Sequence, residues 1–105
     1  MSFTGNEGKQ ITLEEGALLT RKYRESKMNK TGGMFIGKTH IEEILAQADC
    51  KGIRIYLGQN SEGDFELVLV GADSNENDML NVIIDNGMKC PPYPYASNPL
   101  NGNNQ

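Results

Sequence analysis

The sequence contains no tryptophan, one histidine and two cysteines among its 105 residues. Two cysteines are too few for a disulfide-based scaffold, and neither Cys50 nor Cys90 belongs to a CxxC pair. They are either two free thiols or one bond, and sequence alone does not choose between these states. Any imidazole-based catalytic or metal arrangement has to involve His40. We therefore predict no catalytic residues, no metal site and no cofactor.

Long hydrophobic runs and an excess of positive charge are also missing. No apolar run approaches the roughly 20 residues that a membrane helix needs, and residues 1–10 are too polar for a signal peptide. The 10 Lys and Arg residues face 14 Asp and Glu residues, for a net charge of −4. Such a field repels polyphosphate backbones and anionic lipid surfaces. We expect a cytoplasmic protein that binds neither nucleic acid nor membrane.

Two capping signals predict two helices. Thr12 and Glu15 form a capping box that opens a helix reaching about residue 26, with Leu19 on its buried face. Gly16 in this helix offers a bare surface that another segment can approach closely. A second capping box at Thr39 opens a helix that reaches about residue 48. Its apolar residues have the spacing of one buried stripe: Ile41, Ile44, Leu45 and Ala48.

The remaining apolar segments predict strands. Alternation over residues 53–57 and 65–70, with a turn at 60–64, predicts an antiparallel hairpin. Residues 34–36 predict a short strand or an extended entry into the second helix, residues 79–84 predict a further strand, and Asp85-Asn86-Gly87 predicts a turn. Four prolines follow Met88, so an extended tail is expected from Cys90.

These elements predict an α+β fold: a single two-layer domain with two helices on a small antiparallel sheet of about three to four strands. An extended Pro-rich C-terminal tail follows it. The domain is expected over residues 11–95, between a flexible N-terminus at 1–10 and a flexible tail at 96–105.

One segment matches a phosphate-binding pattern to the letter. Residues 32–39 read GxxxxGK[ST], in which backbone amides would wrap an anion and the lysine would reach it. A true phosphate loop follows a buried strand, and residues 26–31 predict none. The ordinary interpretation is a turn at Gly37, an exposed Lys38 and a helix cap at Thr39. We keep Gly37, Lys38, Thr39 and His40 as candidate ligand-binding residues at the helix start.

A second segment imitates a calcium loop. Asp73, Asn75 and Asn77 stand at the first, third and fifth ligand positions. Position six is Asp78 rather than glycine, and position twelve is Ile84 rather than glutamate. A local turn formed by Asp and Asn side chains explains the same residues.

Several stretches resemble a group of small uncharacterised bacterial proteins. They are Gly52 to Gly58 (GIRIYLG), Glu66 to Asp73 (ELVLVGAD), Cys90-Pro91-Pro92 and Asn98 to Asn101 (NPLN). The group has a second cysteine shortly after the two prolines, whereas this chain has Tyr93-Pro94-Tyr95, so a CPPxC site is not available. The resemblance implies a bacterial origin and brings no activity.

The function expected from these observations is a non-enzymatic binding or protein-interaction module that can self-associate, by pairing edge strands or burying a sheet face. Its partner is a protein or a second copy. The predicted interaction surface comprises Tyr56, Val68, Val70, Tyr93 and Tyr95. The alternative is a small-ligand or anion-binding protein, or an enzyme, that uses the helix start at residues 37–40.

Overall fold

The computed structural model describes residues 2–90 and 96–102. The elements in chain order are α1 (Leu13–Ser26), β1 (Gly33–Phe35), α2 (Lys38–Leu45), β2 (Cys50–Gln59), β3 (Phe65–Asp73), β4 (Asp78–Ile84) and β5 (Met88–Cys90). Two helices and antiparallel strands confirm the α+β class. The prolines and tyrosines of residues 91–95, on which the predicted extended tail rests, lie outside the described residues.

The described residues divide into two compact units. The sheet unit contains residues 2–8 and 36–87, and the helix unit contains residues 9–35, 88–90 and 96–102. The chain crosses between the units three times, after residues 8, 35 and 87. The single domain over residues 11–95 stays a prediction.

In the helix unit, α1 begins as its sequence predicts. The Thr12 hydroxyl accepts from the Glu15 amide at 3.0 Å, and the Glu15 carboxylate accepts from the Thr12 amide at 2.9 Å. This reciprocal pair satisfies two backbone donors that a helix start leaves open. Gly16 is buried, and a Cβ built on it would lie 3.1 Å from Leu100 Cδ2. The predicted close approach at this glycine is confirmed, whereas Leu19 is 62% exposed and not buried as predicted.

The strands form two sheets, so the prediction of one sheet is wrong. In the helix unit, β1 pairs antiparallel with β5, and Gly33 is opposite Cys90. Gly32 extends this pairing by donating to the Cys90 carbonyl at 2.8 Å. Strand β5 has three residues, Met88, Lys89 and Cys90. That is too short to show a period of two in the sequence.

In the sheet unit, the order β2-β3-β4 confirms the predicted hairpin. Ile55 is opposite Leu69, and Leu57 is opposite Leu67. The last pair before the turn is Gln59 with Phe65. Asn60 builds the turn, because its side-chain oxygen accepts from the amides of residues 62 and 64 at 2.9 and 3.0 Å.

Helix α2 is shorter than its sequence predicts. It begins at Lys38 with Gly37 as the N-cap and no side-chain capping bond, so the capping box proposed at Thr39 is wrong. It ends at Leu45 rather than near residue 48. The chain then turns through Asp49, whose φ of 64° is left-handed, and enters β2. Of the predicted buried stripe only Ile44 is fully buried, while Ile41 is half-buried, Leu45 is 47% exposed and Ala48 is exposed beyond the end of the helix.

The core of the sheet unit lies where α2 crosses β3. On the face that α2 covers, Ile44 is fully buried and Leu69 is 4% exposed, whereas Val70 and Ala72, 3–4% exposed, lie on the opposite face of β3. A Cβ built on Gly71 would lie 2.9 Å from Cys50 Sγ and 3.3 Å from Ile44 Cγ2, so glycine permits this contact. An eight-residue helix is about 12 Å long, whereas a ten-residue strand is about 33 Å long. Helix α2 therefore covers only one end of the hairpin.

The pairing of β3 with β4 is interrupted by a bulge. Val70 is opposite Ile83, but the next residue, Gly71, is opposite Met79. Residues 80–82 of β4 therefore have no opposite residue in β3. Bulges of this kind bend and twist a strand.

Candidate interaction surface

The hairpin carries exposed aliphatic side chains at the end that α2 does not reach. Ile55 is 54% exposed and Leu57 is 73% exposed, and Leu67 lies directly opposite Leu57. We call Ile55, Leu57 and Leu67 the apolar patch. They lie on the sheet face that α2 covers at Gly71, because opposite and alternate residues share a face.

Two residues of the apolar patch, Ile55 and Leu57, belong to an edge strand, β2. Strand β2 has ten residues, contains no proline and forms one edge of its sheet. Its charged residues are Lys51 and Arg54, both near its start. Proteins protect sheet edges with short strands, prolines, bulges or charged side chains. Residues 55–59 have none of these protections.

A polar cluster occupies the opposite face near the start of β2. Arg54 forms an ion pair and hydrogen bond with Asp78, and the Tyr56 hydroxyl donates to Asp78 at 2.5 Å. The hydrogen bond from Tyr56 and then the Arg54 guanidinium lower the pKa of the Asp78 carboxyl. The bond to Asp78 raises the pKa of Tyr56 and that of Arg54. Asp78 is thus a carboxylate that accepts from both Tyr56 and Arg54.

The N-terminal segment lies against this cluster. The Phe3 amide donates to the Ser74 carbonyl at 3.1 Å, and the Arg54 guanidinium carbon lies 5.4 Å from the centre of the Phe3 ring. The spacing is that of a cation–π contact. Phe3 therefore lies against the face of the sheet that carries Arg54. Flexibility of residues 1–10 stays a prediction.

A cleft of about 350 Å³ lies between the N-terminal segment and β2, and Phe3, Glu7, Lys51 and Arg54 contribute to its lining. Its charged groups already have partners. The Glu7 carboxylate accepts from the Thr4 and Gly5 amides at 2.9 and 3.0 Å, and these bonds lower its pKa. Lys51 is 3.8 Å from Asp49. The cleft therefore presents no uncompensated charge to a ligand.

The predicted interaction residues are only partly brought together. Tyr56 is opposite Val68, and Tyr56 is 47% exposed. Val70 is 3% exposed, so its side chain is inside the core rather than on a surface. Tyr93 and Tyr95 lie outside the described residues.

The predicted ligand residues are placed around the start of α2. The Lys38 side chain is 85% exposed and lies 3.8 Å from Glu42, and His40 Nδ1 lies 3.5 Å from Glu43. Both basic groups thus face a carboxylate of the same helix. Thr39 is exposed and makes no capping bond. This arrangement leaves little positive charge for an anion.

The segments that match a phosphate-binding pattern and part of a calcium-loop pattern have ordinary structural explanations. Residues 33–35 of the phosphate-binding pattern form β1. In the pattern of the calcium loop, Asp73 Oδ1 accepts from the amides of Asn75 and Asn77, both at 2.9 Å. That oxygen closes a local turn.

Other chemistry-bearing groups are scattered. Both cysteines are free thiols, Cys90 buried and Cys50 half-buried. Within residues 2–90 and 96–102, no three His, Cys, Asp or Glu side chains gather as a metal site would require. In the same residues, neither helix combines the length and apolar character needed to cross a bilayer.

The apolar patch could not be predicted from the alternation in β2, because a period of two identifies a face of the strand but not how much of that face is covered. Ile55 and Leu57 continue the alternation of Ile53, which is half-buried, so the pattern does not distinguish the covered residue from the exposed ones. The sequence also predicted a longer α2 than the structure has, so it gave no signal of how much of the face the helix covers.

The chain matches no protein-family model, no curated protein and no solved structure.

Proposed function

We propose that this chain is a non-enzymatic interaction module that self-associates by pairing β2 of one copy with β2 of a second. The single observation that carries the proposal is the coincidence of an unprotected edge with exposed Ile55 and Leu57 on the same strand. Strand pairing satisfies the backbone groups along the edge, and the side chains supply the hydrophobic contact.

The simplest geometry is a symmetric pair. Antiparallel β2 strands related by a two-fold axis normal to the sheet keep equivalent faces on the same side. The apolar patches of the two copies then lie side by side on one face of a continuous sheet, with three strands from each copy. The Arg54 cluster lies on the other face and keeps its partners.

The magnitudes indicate a weak dimer. Full burial of a Leu or Ile side chain contributes roughly 1.5–3 kcal/mol. With 54% and 73% of Ile55 and Leu57 still exposed, complete burial in both copies contributes roughly 4–8 kcal/mol. Association costs an estimated 4–15 kcal/mol, so backbone hydrogen bonds of about 0.5–1.5 kcal/mol each must add to it. We expect concentration-dependent association in roughly the micromolar to millimolar range.

Sedimentation equilibrium over a dilution series tests this association. The wild-type average mass should rise from monomer toward dimer as concentration increases, with and without reductant. Leu57→Glu places a carboxylate in the apolar contact and should weaken dimerisation roughly tenfold or more.

The matched control is Leu80→Glu. Leu80 is 68% exposed, lies on the other edge strand, and its replacement changes the net charge equally. The proposal requires that Leu80→Glu dimerise like wild type. A wild-type monomer at every concentration, or equal weakening by both variants, would remove β2 pairing.

Two broader expectations belong to this proposal. A reducing, cytoplasmic compartment agrees with two free thiols. The two-layer arrangement is supported within the sheet unit by the contact of Ile44 with Gly71 of β3. Anion binding at residues 37–40 has weaker support, since Lys38 and His40 face glutamates. Lys38→Ala should therefore leave thermal stability in phosphate unchanged.

A further inference from the structure

The sequence contains two Asn-Gly pairs, Asn86-Gly87 and Asn101-Gly102. This dipeptide is chemically labile, because glycine has no side chain to hinder attack of its amide nitrogen on the preceding asparagine side chain. The structure holds the two pairs in different ways, which makes each a reference for the other.

Asn86 is unrestrained. It is exposed, it has a left-handed φ of 68°, and it lies between β4 and β5. In the part of the chain that the structure describes, neither the Asn86 carboxamide nor the Gly87 amide forms a hydrogen bond. The electrophile and the nucleophile are therefore both free to approach one another.

Asn101 is held in place. Its Nδ2 donates to the Ala96 carbonyl at 2.7 Å, and its Oδ1 accepts from the Asn98 amide at 3.1 Å. Arg24 lies against Gly102, since a Cβ built on that glycine would be 2.7 Å from the guanidinium carbon. Attack on the Asn101 side chain requires both hydrogen bonds to break.

We infer that Asn86 is a site of spontaneous, selective deamidation. The deprotonated Gly87 nitrogen attacks Asn86 Cγ and forms a C–N bond. The bond from Cγ to the side-chain nitrogen breaks, and that nitrogen leaves as ammonia after taking a proton. Water then opens the succinimide at either carbonyl, which gives aspartate or isoaspartate. The net change consumes one water, releases ammonia and creates one carboxylate.

The product alters a defined place in the chain. The new carboxylate lies beside Asp85, and isoaspartate adds a methylene to the main chain. This insertion falls where the chain passes from the sheet unit to the helix unit, after residue 87.

Timed incubation of the full-length folded protein, followed by proteolysis and peptide mass spectrometry, measures both sites in one sample. Asn86 should deamidate roughly tenfold or more faster than Asn101, because two hydrogen bonds protect the latter. The Asn86 rate should rise from pH 6 to pH 8, since the attacking amide must lose its proton. Aspartate and isoaspartate peptides should separate by chromatography.

Two controls keep the inference falsifiable. In concentrated urea the rates at the two sites should converge, because the protection of Asn101 is structural. In Asn86→Gly, which tolerates the left-handed conformation, the major product should disappear while the slow Asn101 reaction continues. Equal rates at both sites in the folded protein, or a slower reaction at Asn86, would overturn the inference.

Discussion

The two ends of the β2–β3 hairpin share one alternating pattern of apolar residues, but their side chains have different environments. At the end far from the turn, around Gly71, α2 covers one face of the sheet and Phe3 lies against Arg54 on the other face. We call this the closed end. At the end next to the turn, which we call the open end, Ile55 and Leu57 are more than half exposed. A pattern of alternating apolar residues therefore specifies a strand and its faces, while the length of the covering helix decides which part becomes core.

Replacing one isoleucine at each end by alanine should give the largest difference in the free energy of unfolding. Ile44→Ala removes a fully buried side chain at the closed end and should reduce the free energy of unfolding by about 2–5 kcal/mol. Ile55→Ala, at the open end, should cost at most about 1 kcal/mol. Urea titration at constant m-value measures both. Equal losses would contradict the assignment of an open and a closed end.

Replacing one glycine at each end by alanine tests the same difference in packing. The Cβ of Gly71→Ala would lie 2.9 Å from Cys50 Sγ, so overpacking should cost about 1–3 kcal/mol. The Cβ of Gly58→Ala, at the open end, would lie 3.7 Å from Glu66 Cβ, an ordinary contact. We expect this variant to match or slightly exceed wild-type stability in thermal unfolding. Destabilisation of Gly58→Ala equal to that of Gly71→Ala would show that the open end is packed.

The ionic cluster makes part of the stability depend on pH. Hydrogen bonds from Tyr56 and Arg54 lower the pKa of Asp78 in the folded state. Stability from this carboxylate is therefore present above its unfolded pKa of about 4 and is lost as pH falls through its lower folded pKa. Asp78→Asn should reduce stability at neutral pH and flatten its decline below about pH 4.

Asp85→Asn is the control for the ionic cluster, because Asp85 is exposed and lies in the connection to β5. Denaturant midpoints from pH 7 to pH 2 should show the wild-type decline in Asp85→Asn. A wild-type decline in Asp78→Asn as well would show that the cluster contributes nothing to acid stability.

The smallest effect is expected at the centre of the apolar patch. Leu57→Glu should change the free energy of unfolding by about 0.5 kcal/mol or less, because most of Leu57 is in water. Denaturation at a concentration where wild type is monomeric measures this difference. A large loss would mean that its effect on association reflects unfolding.

The sequence predicted those elements whose signals are local. The reciprocal bonds of Thr12 and Glu15, the turn at Asn60 and the alternation in β2 and β3 each involve residues close in the chain. Such signals are independent of tertiary context, so α1 and the hairpin are confirmed. The close approach at Gly16 also followed from one residue, although its partner, Leu100, did not.

The missed features depend on contacts between distant residues. Strand β5 exists because it pairs with β1, more than fifty residues earlier in the chain. The N-cap of α2 is Gly37 rather than the predicted Thr39, a displacement of two residues. The exposure of Ile55 and Leu57 depends on where α2 ends. Val70 was predicted to lie on the interaction surface, but its side chain is buried.

The bulge between β3 and β4 sets a limit on growth. Because residues 80–82 have no opposite residue in β3, the outer edge of β4 is a poor template for another strand. Within the β2-β3-β4 sheet, β2 is then the edge better suited to strand addition. In the β2–β2 pairing that we propose, the β2 edges of both copies would be occupied, so this six-stranded sheet would not extend further into a fibril.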